Sequence, residues 1–267
     1  MNVIELSVWQ LSIAAALLIA LAVTLWLTHL GVSRSLLIAA LRTVVQLTLI
    51  GLVLEALFTM GALLWVALLA LAMLLIAGRE VQARQQRPLS GAWGIGIGTV
   101  SMFVSAFSVT VLMLAVIIGP EPWYRPQYAI PLLGMFLGNT MTSVTLSLDR
   151  LTEAAWRQRA VIEARLMLGQ RAQQALSDVR RSAVRSGFIP VINAMAAAGV
   201  VSLPGMMTGQ ILAGSPPSLA VKYQILIMFG ITLGSGFGTL VAVLLASHRL
   251  FDGRQRLRVD RLRPARH

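Results

Sequence analysis

ALLWVALLALAMLLIA, residues 62–77, runs for sixteen positions without a charge, an amide or a hydroxyl. A helix on the surface of a soluble domain keeps one polar face, and this stretch has none. With its neighbours from Met60 to Gly78 it approaches the roughly 20 apolar residues that a helix needs to cross a bilayer. The bilayer is therefore its solvent, and a helix so uniformly apolar is expected to lie against lipid. The rest of the chain agrees. Of its 267 residues 57% are hydrophobic and 12% charged, with a mean hydropathy of +0.79, more apolar surface than one soluble core could hide.

Working outward, six more apolar runs extend from about Ser7 to Thr28, Ser35 to Leu57, Ile95 to Ile118, Ala129 to Leu148, Phe188 to Val201 and Lys222 to Ser247. The fold expected is an all-α integral membrane protein with about seven transmembrane helices, the Phe188–Val201 run being the short one. Basic residues fix its orientation. Arg34 and Arg42 follow the first span; Arg79, Arg84 and Arg87 follow the third; eight arginines follow the fifth and seven the last. Twenty of the 22 Lys and Arg thus fall on one side, leaving Arg125 and Lys222 on the other. The positive-inside rule places the amino terminus outside and the carboxyl terminus in the cytoplasm. Trp9, Trp26, Trp65, Trp93, Trp123, Tyr124, Tyr128 and Tyr223 fall near span ends, where amphipathic rings settle. The first run has no basic residues before it and reads as a retained span.

This reading makes residues 1–267 a single membrane domain with a cytoplasmic helical segment at 149–187, between spans five and six, and a basic cytoplasmic tail at 248–267. The net charge of +12 flanks apolar runs instead of forming one basic face, so nucleic acid is not the expected partner; the lipid bilayer is. The chain has no cysteine, which removes disulfides and thiolate chemistry. Its three histidines lie near helix ends or in the tail, so no tight transition-metal site is legible. No nucleophile, acid and base assemble anywhere, and no enzyme activity of the chain itself is expected. The single lysine, Lys222, precedes Tyr223, and no G-x-x-x-x-G-K-[ST] phosphate loop is present.

Span five gathers Gly134, Gly138, Asn139, Thr140, Thr142 and Ser143 into ten residues, which marks it as an interior helix. Gly134 and Gly138 have the spacing that permits close helix approach. Arg42 and Gln46 share one face of span two, and Arg42 is expected to snorkel to the inner surface. After span six, Pro204 and Gly205 interrupt an apolar run. The interruption reads either as a discontinuous helix lining a polar path or as an outer loop that turns at Pro204. In the basic segment, Glu163, Ala164 and Gly169 stand as E-A-x4-G, a spacing similar to the cytoplasmic loop of ABC transporter permeases, while a plain solvated basic helix would look much the same.

The strings V-S-L-P-G-M-M-T-G (201–209), L-A-G (212–214), V-K-Y-Q-I (221–225) and G-M-x-x-G-N (134–139) strongly resemble the FetB family of ABC transporter permeases. That family is associated with iron export in bacteria, and its plant relatives with aluminium tolerance. The resemblance covers nearly the whole chain. It implies a multi-pass protein of the bacterial inner membrane, a homodimer working with a separate cytoplasmic ABC ATPase that binds ATP and Mg, and no cofactor in this chain. Glu163, Ala164 and Gly169 are then candidates for coupling to the ATPase. Gly138, Asn139, Asn193, Ser202, Pro204, Gly205, Met206, Met207 and Gln210 are candidates for the translocation path, with the metal ligands open. The competing readings are an ion-coupled secondary transporter or channel, and a scaffold. Spans four to seven contain no intramembrane carboxylate, which disfavours ion coupling.

Overall fold

The computed structural model describes residues 7–60 and 62–265. The residues before the first span and the last two of the basic tail, Arg266 and His267, lie outside that range. The described residues are almost entirely helical. In chain order they form α1 (Val8–Leu27), α2 (Ser33–Met60), α3 (Leu63–Ala83), α4 (Ala92–Met102), α5 (Ser108–Leu112), α6 (Pro126–Arg157), α7 (Arg159–Met167), α8 (Ala172–Ala175), α9 (Ser177–Ala197), α10 (Gly205–Leu212) and α11 (Pro217–Arg249). Two π-helical turns, Phe103–Phe107 and Met113–Ile118, join α4 and α5 into one rod, Ala92–Ile118.

Among the described residues, six helices are long and apolar enough to cross a membrane: α1, α2, α3, the α4–α5 rod, α6 and α11. The short sixth run of the sequence forms only the second half of α9. That helix begins among the charged residues at Ser177 and stops at Ala197, four residues before Val201.

The core is a three-helix unit of α6, α9 and α11, which α3 and the α4–α5 rod complete on one flank. Glycine notches bring these helices together. A Cβ on Gly230 would fall 2.4 Å from Cζ of Phe136, whose ring is fully buried against α11. One on Gly238 would fall 2.6 Å from Thr140 Cγ2, and one on Gly187 of α9 would meet Thr239 at 2.8 Å and the Ser143 carbonyl oxygen at 2.9 Å. By contrast, Gly138 has nothing within 4 Å of its missing Cβ, and Gly134 makes only an ordinary contact with Met73. The G-x-x-x-G spacing of span five is thus not the close-packing device inside this chain; Gly187 and the α11 glycines are.

The expectation that span three lies against lipid holds for one face, where Leu64, Leu68, Leu71 and Leu75 are exposed, and fails for the other. Val66, Ala70, Leu74, Ala77, Gly78 and Val81 are buried along one face of α3. There Gly78 and Gly98 bring α3 and α4 backbone to backbone. An all-apolar helix has no polar face to betray which side is packed, so composition could not distinguish lipid from protein. The peripheral elements are α1 and α2, whose spans are almost wholly exposed. Arg42 does not simply snorkel: its Nη2 donates to Glu80 Oε1 at 2.6 Å, tying α2 to the basic end of α3.

Candidate translocation face and coupling turn

Side-chain contacts set the register of the core. Arg150 of α6 donates through Nε to Ser182 Oγ of α9 at 3.2 Å, and Gly187 faces the Ser143 carbonyl. The two helices therefore run antiparallel. Asn139 lies eleven residues, about three turns, from Arg150, and Asn193 lies eleven from Ser182. The two asparagines accordingly share one face at one level. Both are exposed, as are the neighbouring Gly138 and Thr142. Asn139 Nδ2 donates to the Met135 carbonyl at 2.8 Å, one turn back on its own helix, which leaves its amide oxygen facing outward. An exposed stripe of two amides is costly beside lipid tails, which offer no hydrogen bonds.

The same reasoning places the break after α9. Thr232 Oγ1 of α11 lies 3.0 Å from Met195 Sδ, and Gly236 faces Phe188. Ala197, the last residue of α9, is thus level with about Gly230, roughly eight residues or 12 Å inward of Lys222. Measured along α6 from the Ser143–Gly187 contact, the level is about Leu133, some 8 Å inward of Tyr128. By both measures α9 stops about 10 Å inward of the level of Lys222 and Tyr128, residue types that settle at a membrane interface.

Beyond α9 the backbone is irregular. Gly199 takes φ +80 and donates to the Ser202 carbonyl at 2.9 Å; Ser202 donates its N–H to Ala197 at 3.1 Å; Pro204 then opens α10. The apolar run is thus interrupted between Ala197 and Gly205, as both readings of Pro204 and Gly205 require. In the described chain Val200 is 88% and Val201 84% exposed. Further along, α10 leans on α11, with Met206 packed against the core and Met207 half-buried. Gln210 Oε1 is buried with no hydrogen-bond partner among the described residues. Ser202 is exposed, and its Oγ reaches the Ala197 carbonyl only at 3.5 Å. Asn139, Asn193 and the break thus form one contiguous face, whereas Pro204, Gly205, Met206, Met207 and Gln210 belong to the helix above it.

The coupling candidates stand at the opposite, basic end. Past Asp149, α6 continues eight residues to Arg157, about 12 Å, which exceeds the roughly 5–8 Å depth of a headgroup layer. The cation of Arg87 lies 4.4 Å over the Trp156 ring and its Nε bonds Glu153 Oε2 at 3.0 Å, fixing that protruding end. Helix α7 carries Glu163 and Ala164 on exposed positions and buries Ile162. Gly169 takes φ +85, the left-handed value at which glycine turns a chain without strain. The turn thrusts out Met167 and Leu168, 83% and 84% exposed. The sequence pattern pointed to Glu163 and Gly169 but missed these two apolar residues, whose signal is only their place beside the glycine.

The family profile described as "Uncharacterised protein family (UPF0014)" matches residues 8–251. The chain belongs to the UPF0014 family. Its similarity to the UPF0014 membrane protein slr1647 of Synechocystis sp. is 39% identity over 94% of this chain and 95% of that one. The UPF0014 membrane protein STAR2 of Oryza sativa subsp. japonica is 33% identical over 90% of this chain and 83% of its own length. The Probable iron export permease protein FetB of Escherichia coli (strain K12) is 29% identical over 94% of this chain and 96% of its own. No solved structure matches this UPF0014 chain. Together with six helices able to span a bilayer, these similarities make it a multi-pass membrane protein. Among the described residues no three of His, Cys, Asp and Glu gather where a metal ion could be held.

Proposed function

We propose that this UPF0014 chain is the membrane-spanning half of an ATP-driven exporter of metal ions or their complexes, used as a homodimer with two copies of a cytoplasmic ATPase. One observation carries the reading. Asn139, Asn193 and the α9–α10 break are all exposed in the single chain, and by helix register α9 stops about 10 Å inward of the level of Lys222 and Tyr128, a level that this reading puts within the bilayer. Backbone of that kind persists in a bilayer only against protein or water. A second copy set face to face would cover the lipid side and leave a polar seam along the two-fold axis.

Such a seam would hold cargo weakly, through the amide oxygens of Asn139 and Asn193, the Ser202 hydroxyl and the carbonyls freed at the break. Oxygen donors suit hard cations, and weak binding suits release. The position of the coupling turn is consistent with this division of labour: Glu163, Ala164 and Gly169 at the basic end would receive the ATPase stroke, and α9, which rises from that same end to the break, would carry it to the seam. ATP and Mg belong to the ATPase. The similarity to a relative named as an iron export permease supports metal as cargo.

The test is purification of the tagged chain in mild detergent, followed by reconstitution with any stoichiometric P-loop companion and assay of ATP-dependent iron flux in proteoliposomes. The reading expects such a companion, and flux reduced at least ten-fold by Asn139→Leu with Asn193→Leu while the complex still assembles. A chain that moves solute without ATP, or flux indifferent to both substitutions, overturns it.

A further inference from the structure

Three segments far apart in sequence meet at the basic end: the α3–α4 loop, the coupling turn and the carboxyl-terminal tail. The tail is not a loose basic extension. Phe251 and Leu257 pair as an isolated antiparallel bridge, and Asp252 closes the turn between them. Its Oδ1 accepts the backbone N–H groups of Arg254 and Arg256, each at 2.9 Å, and its Oδ2 accepts Arg256 Nε at 2.8 Å. Gln255 sits at the tip with φ +58 and accepts the Ala172 N–H at 2.9 Å, clasping the start of α8 just after the coupling turn.

From there the chain crosses under α11. Arg261 Nη1 donates to the carbonyls of Arg249 and Phe251 at 2.7 and 3.1 Å. The tail then pairs with the α3–α4 loop: Ser90 donates to the Arg261 carbonyl at 2.8 Å, Arg263 donates to the Pro88 carbonyl at 3.0 Å, and Leu262 is buried beside Leu89.

This lacing leaves a groove between the coupling helix and the tail turn, lined on one side by Glu163, Leu166 and Met167 and on the other by Arg254, Arg256 and Leu257. Arg171, Arg254 and Arg256 are exposed around the apolar projection of Met167 and Leu168. We infer that the tail turn 251–257 is the second half of the ATPase docking platform, and that its occupant is a protein surface with an apolar socket rimmed by carboxylates. The inference rests on the proposed ATP-driven reading.

Charge and position both select that occupant over lipid. Exposed Arg171 and Arg254, with Arg256 held beside them by Asp252, flank two exposed apolar side chains, and a partner offering both chemistries matches them. The protruding end of α6, about 12 Å past Asp149, carries the turn beyond the headgroup layer, so the partner is soluble protein. The clasp also gives the tail a mechanical share: a push on Met167 and Leu168 reaches Gln255 through Ala172 and, along the tail, the α3–α4 loop.

The absence of native cysteine makes the test direct. Full-length chains carrying Leu168→Cys or Arg254→Cys are labelled with a water-soluble maleimide, alone and bound to the co-purifying P-loop companion. The inference expects both sites to be protected at least ten-fold in the complex. It also expects Arg254→Glu to weaken companion binding about ten-fold at low salt and less at high salt, as a rim charge does. Protection of Leu168→Cys without Arg254→Cys overturns the tail's role and leaves the coupling turn standing. Protection of neither in an intact complex overturns both. A chain with no P-loop companion overturns the ATP-driven reading, and this inference with it.

Discussion

Gly187→Ala tests whether α9 is wedged as tightly as its contacts indicate. The new Cβ would sit 2.8 Å from Thr239 Cγ2 and Oγ1 and 2.9 Å from the Ser143 carbonyl oxygen. Thr239 is fully buried and the carbonyl is backbone, so neither can swing aside, and α9 must retreat about half an ångström from α6 and α11 to restore ordinary contact. Overpacking of that size costs roughly 1–3 kcal/mol. At about 2–4 °C per kcal/mol for a chain of this size, the midpoint of thermal unfolding in mild detergent should fall by several degrees. Gly138→Ala is the control: it adds a methyl where nothing lies within 4 Å and replaces glycine in a helix interior, so the isolated chain should gain up to about 1 kcal/mol. A Gly187→Ala protein as stable as the parent would refute the register on which the depth of the break depends.

Breaking the Arg42–Glu80 pair with Arg42→Ala should cost the fold less than about 1 kcal/mol, since the arginine is half exposed, yet should widen the distance distribution between spin labels on α2 and α3. Unchanged distances would mean that packing alone holds α2. Asp252 is held below the usual carboxylate range, first by the Arg256 backbone N–H and further by its guanidinium and the Arg254 N–H. A depressed carboxylate stabilises above its unfolded value, about 3.9, and loses that contribution as pH falls through its lower folded value. The tail turn should therefore stay closed at pH 5 and open only below about pH 4, as read from a fluorophore on Gly253→Cys; opening near pH 6 would contradict the assignment. Trp156→Ala should remove the Arg87 stacking surface and raise protease cleavage near Arg157 several-fold, and unaltered cleavage would show that the stack does not fix the end of α6.

Much of this architecture was legible in the residues because lipid imposes simple rules. Length and apolarity located the long helices, Arg placement marked one end as basic, and Pro204 and Gly205 announced the break. What stayed hidden depended on partners. The apolar run 62–77 could not reveal that Ala70, Leu74 and Ala77 face protein, since lipid and protein favour the same side chains there. Gly134 and Gly138 had the right spacing but no close neighbour, while Gly187, isolated among arginines, made the tightest contact of α9. The level of the break was equally invisible, because only the contacts of Thr232 and Gly236 of α11 with Met195 and Phe188 set where α9 stops relative to its neighbours. The tail read as solvated charge because Gln255 meets Ala172 across 83 residues, a pairing no local pattern encodes.

The central claim is that the chain breaks inside the membrane and lines an aqueous seam. Its most direct test is a spin label at Val200→Cys in nanodiscs holding the assembled complex, with depth read from power saturation against a label at Trp123→Cys. The account predicts a Val200 label about 10 Å deeper than Trp123 yet open to a water-soluble relaxation agent. A label level with Trp123, or one that is deep and reached only by oxygen, would contradict it.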